Sequence, residues 1–238
     1  VNLDSIANLF NTTVRIKTFE PMDSLAQWPH NIEICICRVP IRKRDGYDVD
    51  KLIAFAKKLK AHMVKNGIVF LICYAPVEDK ARPFEVGKAM TDAGFYHVDN
   101  IIIEKSWFPG KRSEANLVNS HEYVLHFCNG KVWALDRLPI REYLKTGGDM
   151  SCPGNTWKVE TGSLDDSYPV DLAELLIRMT DCLPGSVIFD PYMGSSAALR
   201  TALKLGHSFY GFEKDERRMK KYDKIIKEFS GATTSKKS

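Results

Sequence analysis

The chain has 238 residues, 44% hydrophobic and 27% charged, with a formal net charge of +4 at pH 7. This composition suits one globular α/β domain and excludes a disordered, collagenous or coiled-coil chain. No apolar run reaches the ~20 residues needed to cross a bilayer, and so small a charge says little by itself about nucleic acid.

The opening stretch from Val1 to Phe10 contains an acid and has no charged head before a long apolar run, so no secretory signal is expected. The cysteines are Cys35, Cys37, Cys73, Cys128, Cys152 and Cys182. None has the C-x-x-C spacing of a zinc clip, and Cys35 and Cys37 share one face of an apolar run. Reduced core thiols in an intracellular protein, of cytoplasm or nucleus, are therefore expected.

In chain order, Ile32 to Cys37 reads as a strand leading into Arg38-Val39-Pro40-Ile41. A helix is predicted over Lys51 to Lys65, capped by Asp50 and stopped by Asn66-Gly67. Its apolar residues Leu52, Ile53, Phe55, Ala56, Leu59 and Met63 recur at helical spacing. Ile68 to Tyr74 is apolar throughout, as suits a strand covered on both faces. A helix over Pro83 to Asp92 and a strand over Val98 to Ile103 follow. This alternation predicts a mostly parallel, twisted sheet with helices on both sides.

Glu104 to Asn119 reads as an exposed basic loop, with Lys105, Lys111 and Arg112 around Trp107-Phe108. His121 to Phe127 is a further strand. His121 and His126 point to opposite faces of it, so no metal site is expected there or elsewhere. From Cys128 to Asp166 the text is irregular, with a short helix near Ile140 to Leu144 and with Trp133 and Trp157 as anchors. A helix over Val170 to Leu183, a strand over Ser186 to Asp190, a helix over Ala197 to Leu205, a strand over Ser208 to Phe212 and a basic helix complete the unit. Residues 1–230 form a single expected domain, and 231–238 a polar, disordered tail.

The segment from Val187 to Ser196 carries the chemistry. An apolar strand ends in Asp190, a tight turn contains Gly194, and a helix starts at once; the next strand ends in Glu213. In a nucleotide-binding α/β unit the glycine lets a ligand approach the backbone and the helix start offers unpaired N–H groups. The second acid accepts hydrogen bonds from ribose hydroxyls. An ordinary strand–turn–helix, whose glycine only relieves a turn, has the same layout.

The run DPYMGSSAALRTALKLGHSFYGFEKDE resembles the cofactor motif of the amino-methyltransferases that modify exocyclic nitrogens of adenine or cytosine in DNA, usually D-P-F-x-G-S-G-T. The segment around Tyr168-Pro169 and the strand His121 to Phe127 are also similar to that family. The cofactor motif lies C-terminal to the rest, the mark of the circularly permuted β class. The resemblance spans about Glu20 to Phe229 and implies a Rossmann-like class I methyltransferase fold.

It also implies that Asp190, Pro191, Tyr192, Gly194 and Ser195 line S-adenosylmethionine. Tyr168 and Pro169 would flank it, and Glu213 would hold its ribose. Ser196 stands where the family has a second glycine, which implies weakened binding of the cofactor.

The family places [DNS]-P-P-[YFW] at the end of its first strand, where oxygen acceptors hold the amine of a flipped base and the aromatic ring stacks on it. Here Arg38, Val39, Pro40 and Ile41 stand in those places, and only Pro40 matches. Arg38 has no acceptor atom and would set a positive charge beside the sulfonium. Two readings follow: an active DNA amino-methyltransferase with a divergent site, or a silent subunit that binds nucleic acid and supports an active partner of the same family, as a homo- or heterodimer. Candidate nucleic-acid contacts are Arg42, Lys43 and Arg44 after the first strand, then Lys105, Trp107, Lys111 and Arg112, with DNA expected before RNA. The interval 128–166, where relatives carry a larger recognition insert, is short.

Overall fold

The computed structural model describes residues 12–18, 27–39, 49–76, 79–105, 117, 119–132, 135–144, 153–159 and 168–234. They build one eight-stranded sheet. The strands are β1 (Val14–Lys17), β2 (Ile32–Arg38), β3 (Met63–Cys73), β4 (Tyr96–Lys105), β5 (His121–Cys128), β6 (Thr156–Val159), β7 (Val187–Asp190) and β8 (Ser208–Phe212). The helices are α1 (Val49–His62), α2 (Arg82–Asp92), α3 (Leu138–Leu144), α4 (Val170–Arg178), α5 (Ala197–Leu205) and α6 (Met219–Thr234). Their spatial order in the sheet is β1-β8-β7-β2-β3-β5-β4-β6. All neighbours are parallel except at β5, which runs against both β3 and β4.

The core follows from alternation along strands buried on both faces. Ile34, Ile36, Phe70, Ile72 and Ile188 point to one side, where they meet Leu172 and Leu176 of α4, Ala198 and Ala202 of α5, and Tyr222 of α6. Cys35, Cys37, Val69, Leu71 and Phe189 point to the other, against Phe55 and Leu59 of α1 and Val86 and Met90 of α2. Each such side chain, fully buried, contributes roughly 1.5–3 kcal/mol of transfer free energy. The expected sandwich of a mostly parallel sheet between helices is what forms.

Several boundaries differ from the sequence reading. Helix α1 ends at His62, and Met63, an apolar residue in helical phase, begins β3 instead. Asn66 has a left-handed φ of 64°, and the β2–β3 register jumps between Ile32↔Met63 and Ile34↔Ile68. Asn66-Gly67 therefore makes a bulge inside the strand. Helix α4 ends at Arg178, not Leu183. There the Thr180 hydroxyl donates to the Ile177 carbonyl at 2.7 Å and Asp181 turns left-handed at φ 55°. Strands β1 and β6 were not foreseen, and α6 continues to Thr234, into the expected tail.

The topology sets the site. From β2 the chain passes through α1 to β3 on one side; from β7 it passes through α5 to β8 on the other. β2 and β7 are adjacent and parallel, so a crevice opens between their C-terminal ends, where α/β sheets bind ligands. Because β5 is reversed, its first residues His121 and Glu122 lie at this same edge, opposite Glu104 and Ile103.

Candidate functional site

The turn from β7 into α5 is organised around Asp190, which is wholly buried. Its Oδ1 accepts from the Tyr192 backbone N–H at 3.0 Å and its Oδ2 from the Tyr168 hydroxyl at 2.8 Å. Burial pushes the carboxyl up to about 7. The two donors pull it back, and the negative charge of Glu213 adds to the rise. The Tyr168 phenol is pushed well above its usual range by burial and then by Asp190. Pro169 sets the start of α4 in an extended conformation.

The turn is also tied to β8. Met193 donates its N–H to the Phe212 carbonyl at 3.2 Å, and its side chain lies over Gly211, where an added Cβ would sit 2.3 Å from Sδ. Gly194 is left-handed at φ 48°. Ser196, at φ 74° and ψ 20°, is left-handed too, the conformation that favours glycine. Its hydroxyl bonds the Ser195 carbonyl, and the Ser195 hydroxyl reaches the Tyr168 carbonyl at 3.5 Å. Tyr192, beside Pro191, lines a small apolar cavity with Cys37, Val39 and Phe55.

Glu213 is 7% exposed and both its oxygens are engaged. Oε1 accepts from the Asp215 N–H at 3.0 Å. Oε2 lies 2.8 Å from the Tyr222 hydroxyl and 3.4 Å from Arg218 Nη1. The same Tyr222 hydroxyl is 2.9 Å from the Gly194 carbonyl. The structure thus brings Asp190, Gly194, Tyr168 and Glu213 into one region, and adds Arg218 and Tyr222. Sequence reading missed those two: Arg218 ends a short turn, Glu216–Arg218, and Tyr222 lies in the first turns of α6, and no local motif marks either.

At the end of β2 the picture changes. Arg38 Nη2 pairs with Glu122 Oε1, and Lys105 Nζ, from the last residue of β4, pairs with the same oxygen. Arg38 was expected to set a bare charge beside the cofactor; its charge is turned toward Glu122. Lys105 was expected on an exposed loop. It ends a strand, with a side chain 16% exposed and its ammonium 4.8 Å from the Tyr74 ring centre. Val39 is buried and donates its N–H to the Ile72 carbonyl at 3.0 Å. Pro40, Ile41, Arg42, Lys43, Arg44, Trp107, Lys111, Arg112 and Trp133 lie outside the described residues.

His126 packs on Phe70 and His121 on Tyr123, on opposite faces as expected. Among the described residues no cluster of three His, Cys, Asp or Glu side chains forms a metal site. Trp157 anchors its segment through an N–H bond to the Gly154 carbonyl at 2.8 Å.

Solved structures share this fold. M1.HpyAVI in complex with SAM aligns at a TM-score of 0.67 and 15% identity, covering 90% of this chain and 99% of that one. The cytosine-N4-specific PvuII DNA methyltransferase aligns at 0.71 and 16%, covering 92% and 94%. TTHA0409 of Thermus thermophilus, assigned as a DNA modification methylase and complexed with S-adenosyl-L-methionine, aligns at 0.66 and 19%, covering 92% and 94%. At such identities these likenesses establish the class I methyltransferase fold. A family profile goes further: the N6/N4 DNA methylase profile matches residues 48–227, starting beyond Arg38 to Ile41. On that match, which takes in most of the sheet, the β7 turn and Glu213, the chain belongs to the N6/N4 DNA methylases.

Proposed function

We propose that this chain binds S-adenosylmethionine at the β7 turn and binds DNA at the same sheet edge, while a partner of the same family carries out transfer to an exocyclic amine. The observation that carries this reading is the commitment of Arg38 to Glu122 at the end of β2. An amine donor needs oxygen acceptors there to aim its lone pair. A guanidinium supplies only N–H donors, and loss of one positioning or electrostatic group of this kind typically costs about 10²–10³ in rate.

The cofactor half fits its proposed ligand. A left-handed glycine, the start of α5 and a buried acid at the end of β8 are the parts an adenosine-type ligand needs. The cofactor supplies an electrophilic methyl group. Asp190 fixes the turn through Tyr168 and Tyr192, and Glu213, now paired with the half-exposed Arg218, would hold the ribose hydroxyls. The order of the chain, with the cofactor turn after the Arg38 strand, supports a circularly permuted single domain. The buried free thiols Cys35, Cys37, Cys73 and Cys128 fit an intracellular setting.

A second reading, transfer by this chain alone, is favoured by the well-kept hydrogen bonding of Asp190. The two separate in one experiment. Purified chain is incubated with labelled S-adenosylmethionine and DNA or RNA, and cofactor binding is measured by calorimetry in the same preparation. Binding without incorporation, both for the chain and for a Glu213→Ala control that binds less, is expected. Incorporation above that control sinks the silent-subunit reading.

A further inference from the structure

Among the described residues, the end of β2 carries a charge imbalance. Arg38 and Lys105 share one oxygen of one carboxylate, Glu122 Oε1. Two cations and one anion leave a net positive charge, on side chains only 12% and 16% exposed. Among the described residues, Arg38 Nε is buried without a hydrogen-bond partner. A guanidinium carries five N–H donors and an ammonium three, so a single carboxylate oxygen leaves most of them unused. Uncompensated buried charge is costly, and unpaired buried donors add to that cost.

A neutral acceptor such as a base carbonyl would occupy the donors and leave the charge. A singly charged oxyanion answers both. We infer that Arg38 and Lys105 form an oxyanion site whose ligand is a phosphodiester of the bound nucleic acid. The site sits at the edge where β2, β3 and β4 end and β5 begins, beside the crevice at β7. The face of Tyr74 holds the Lys105 ammonium at this edge. This inference rests on the reading that the chain binds DNA here. The α-carboxylate of the cofactor has the same oxyanion chemistry, and the test below separates the two sources.

The full chain is titrated with a fluorescein-labelled duplex of mixed sequence across a salt series, and with S-adenosylmethionine by calorimetry. Arg38→Met leaves Lys105 and Glu122 as a balanced pair, so it is suited to keep the fold. It is expected to weaken duplex binding several-fold and to flatten the slope of log K against log salt by about 0.9, one phosphate's worth. Cofactor affinity stays unchanged, and Arg38→Lys retains most of the slope. Glu122→Gln, which removes the competing carboxylate, is expected to tighten duplex binding.

A loss of cofactor affinity in Arg38→Met with an unaltered duplex slope overturns the phosphodiester and assigns the site to the carboxylate. No change in either titration overturns the oxyanion site and leaves a structural ion triad. If the unmodified chain binds cofactor and no duplex, the phosphodiester falls; if it binds neither, the functional reading beneath it falls first.

Discussion

Ser196 is a non-glycine residue held left-handed at the start of α5, a conformation that costs an L-residue roughly 1–2 kcal/mol. Ser196→Gly is expected to raise stability by about 1 kcal/mol in urea unfolding; no gain would mean the hydroxyl bond to Ser195 offsets the strain. Asp190 gives a pH signature of definite sign. Its folded carboxyl titrates near 7 against an ordinary value of 3.8, so between these values the fold holds a proton that the unfolded chain has released. Its contribution is greatest below about pH 4 and falls as pH rises to about 7, by something on the order of a few kcal/mol. Asp190→Asn, a neutral isostere, removes this dependence. The stability of the variant relative to the parent should climb between pH 4 and 7, and parallel curves for the two would refute the assignment. The Asp190 turn was readable because its signal is local: a strand, an acid, a glycine and a helix start lie within ten residues. The Arg38–Glu122 pair joins residues 84 apart, and no local period announces such a contact.

Elements show the same division. Long apolar runs such as Ile68 to Cys73 and the strongly amphipathic α5 were legible from periodicity. Strands β1 and β6 have four residues each. The alternation in Val14-Arg15-Ile16-Lys17 and Thr156-Trp157-Lys158-Val159 is real but too brief to stand out from a loop. Their existence depends on a neighbouring edge, β8 for β1 and β4 for β6. The coupling between the β7 turn and β8 is likewise tertiary, made by Met193 over Gly211. Gly211→Ala places a methyl group against Sδ and Cγ of Met193 at 2.3 and 2.6 Å. The expected loss is about 1–3 kcal/mol, typical of overpacking, together with weaker cofactor binding as the turn lifts. Adding Met193→Ala should recover part of the binding loss. Equal binding by single and double variants would show that the turn is held by its backbone alone.

Across the whole molecule, the two faces of the sheet differ in character. The face under α1 and α2 carries Cys35, Cys37 and Cys73, all buried as free thiols. Burial pushes Cys73 up to about 12, so little reactive thiolate exists at neutral pH. With Cys128, also buried, these thiols should resist an aromatic disulfide reagent in the native protein and react only as denaturant unfolds it. Rapid native labelling mapped to any of the first three would contradict the packing of that face, and labelling at Cys128 would contradict the packing of the opposite one. The α-β-α layering follows from composition and alternation. The charge pattern at the sheet edge does not, because it arises from one strand running backwards.

Tyr222 adds a last consequence. A phenol has a single hydrogen to give, yet its oxygen stands within reach of two acceptors, one on the glycine turn and one on the acid that ends β8. The hydrogen serves one of them at a time. On the proposed reading, a sugar diol that supplied its own hydrogens to Glu213 would free that of Tyr222 for the Gly194 carbonyl, so filling one side would tighten the other. The two sides would then communicate by switching the acceptor of one hydroxyl hydrogen.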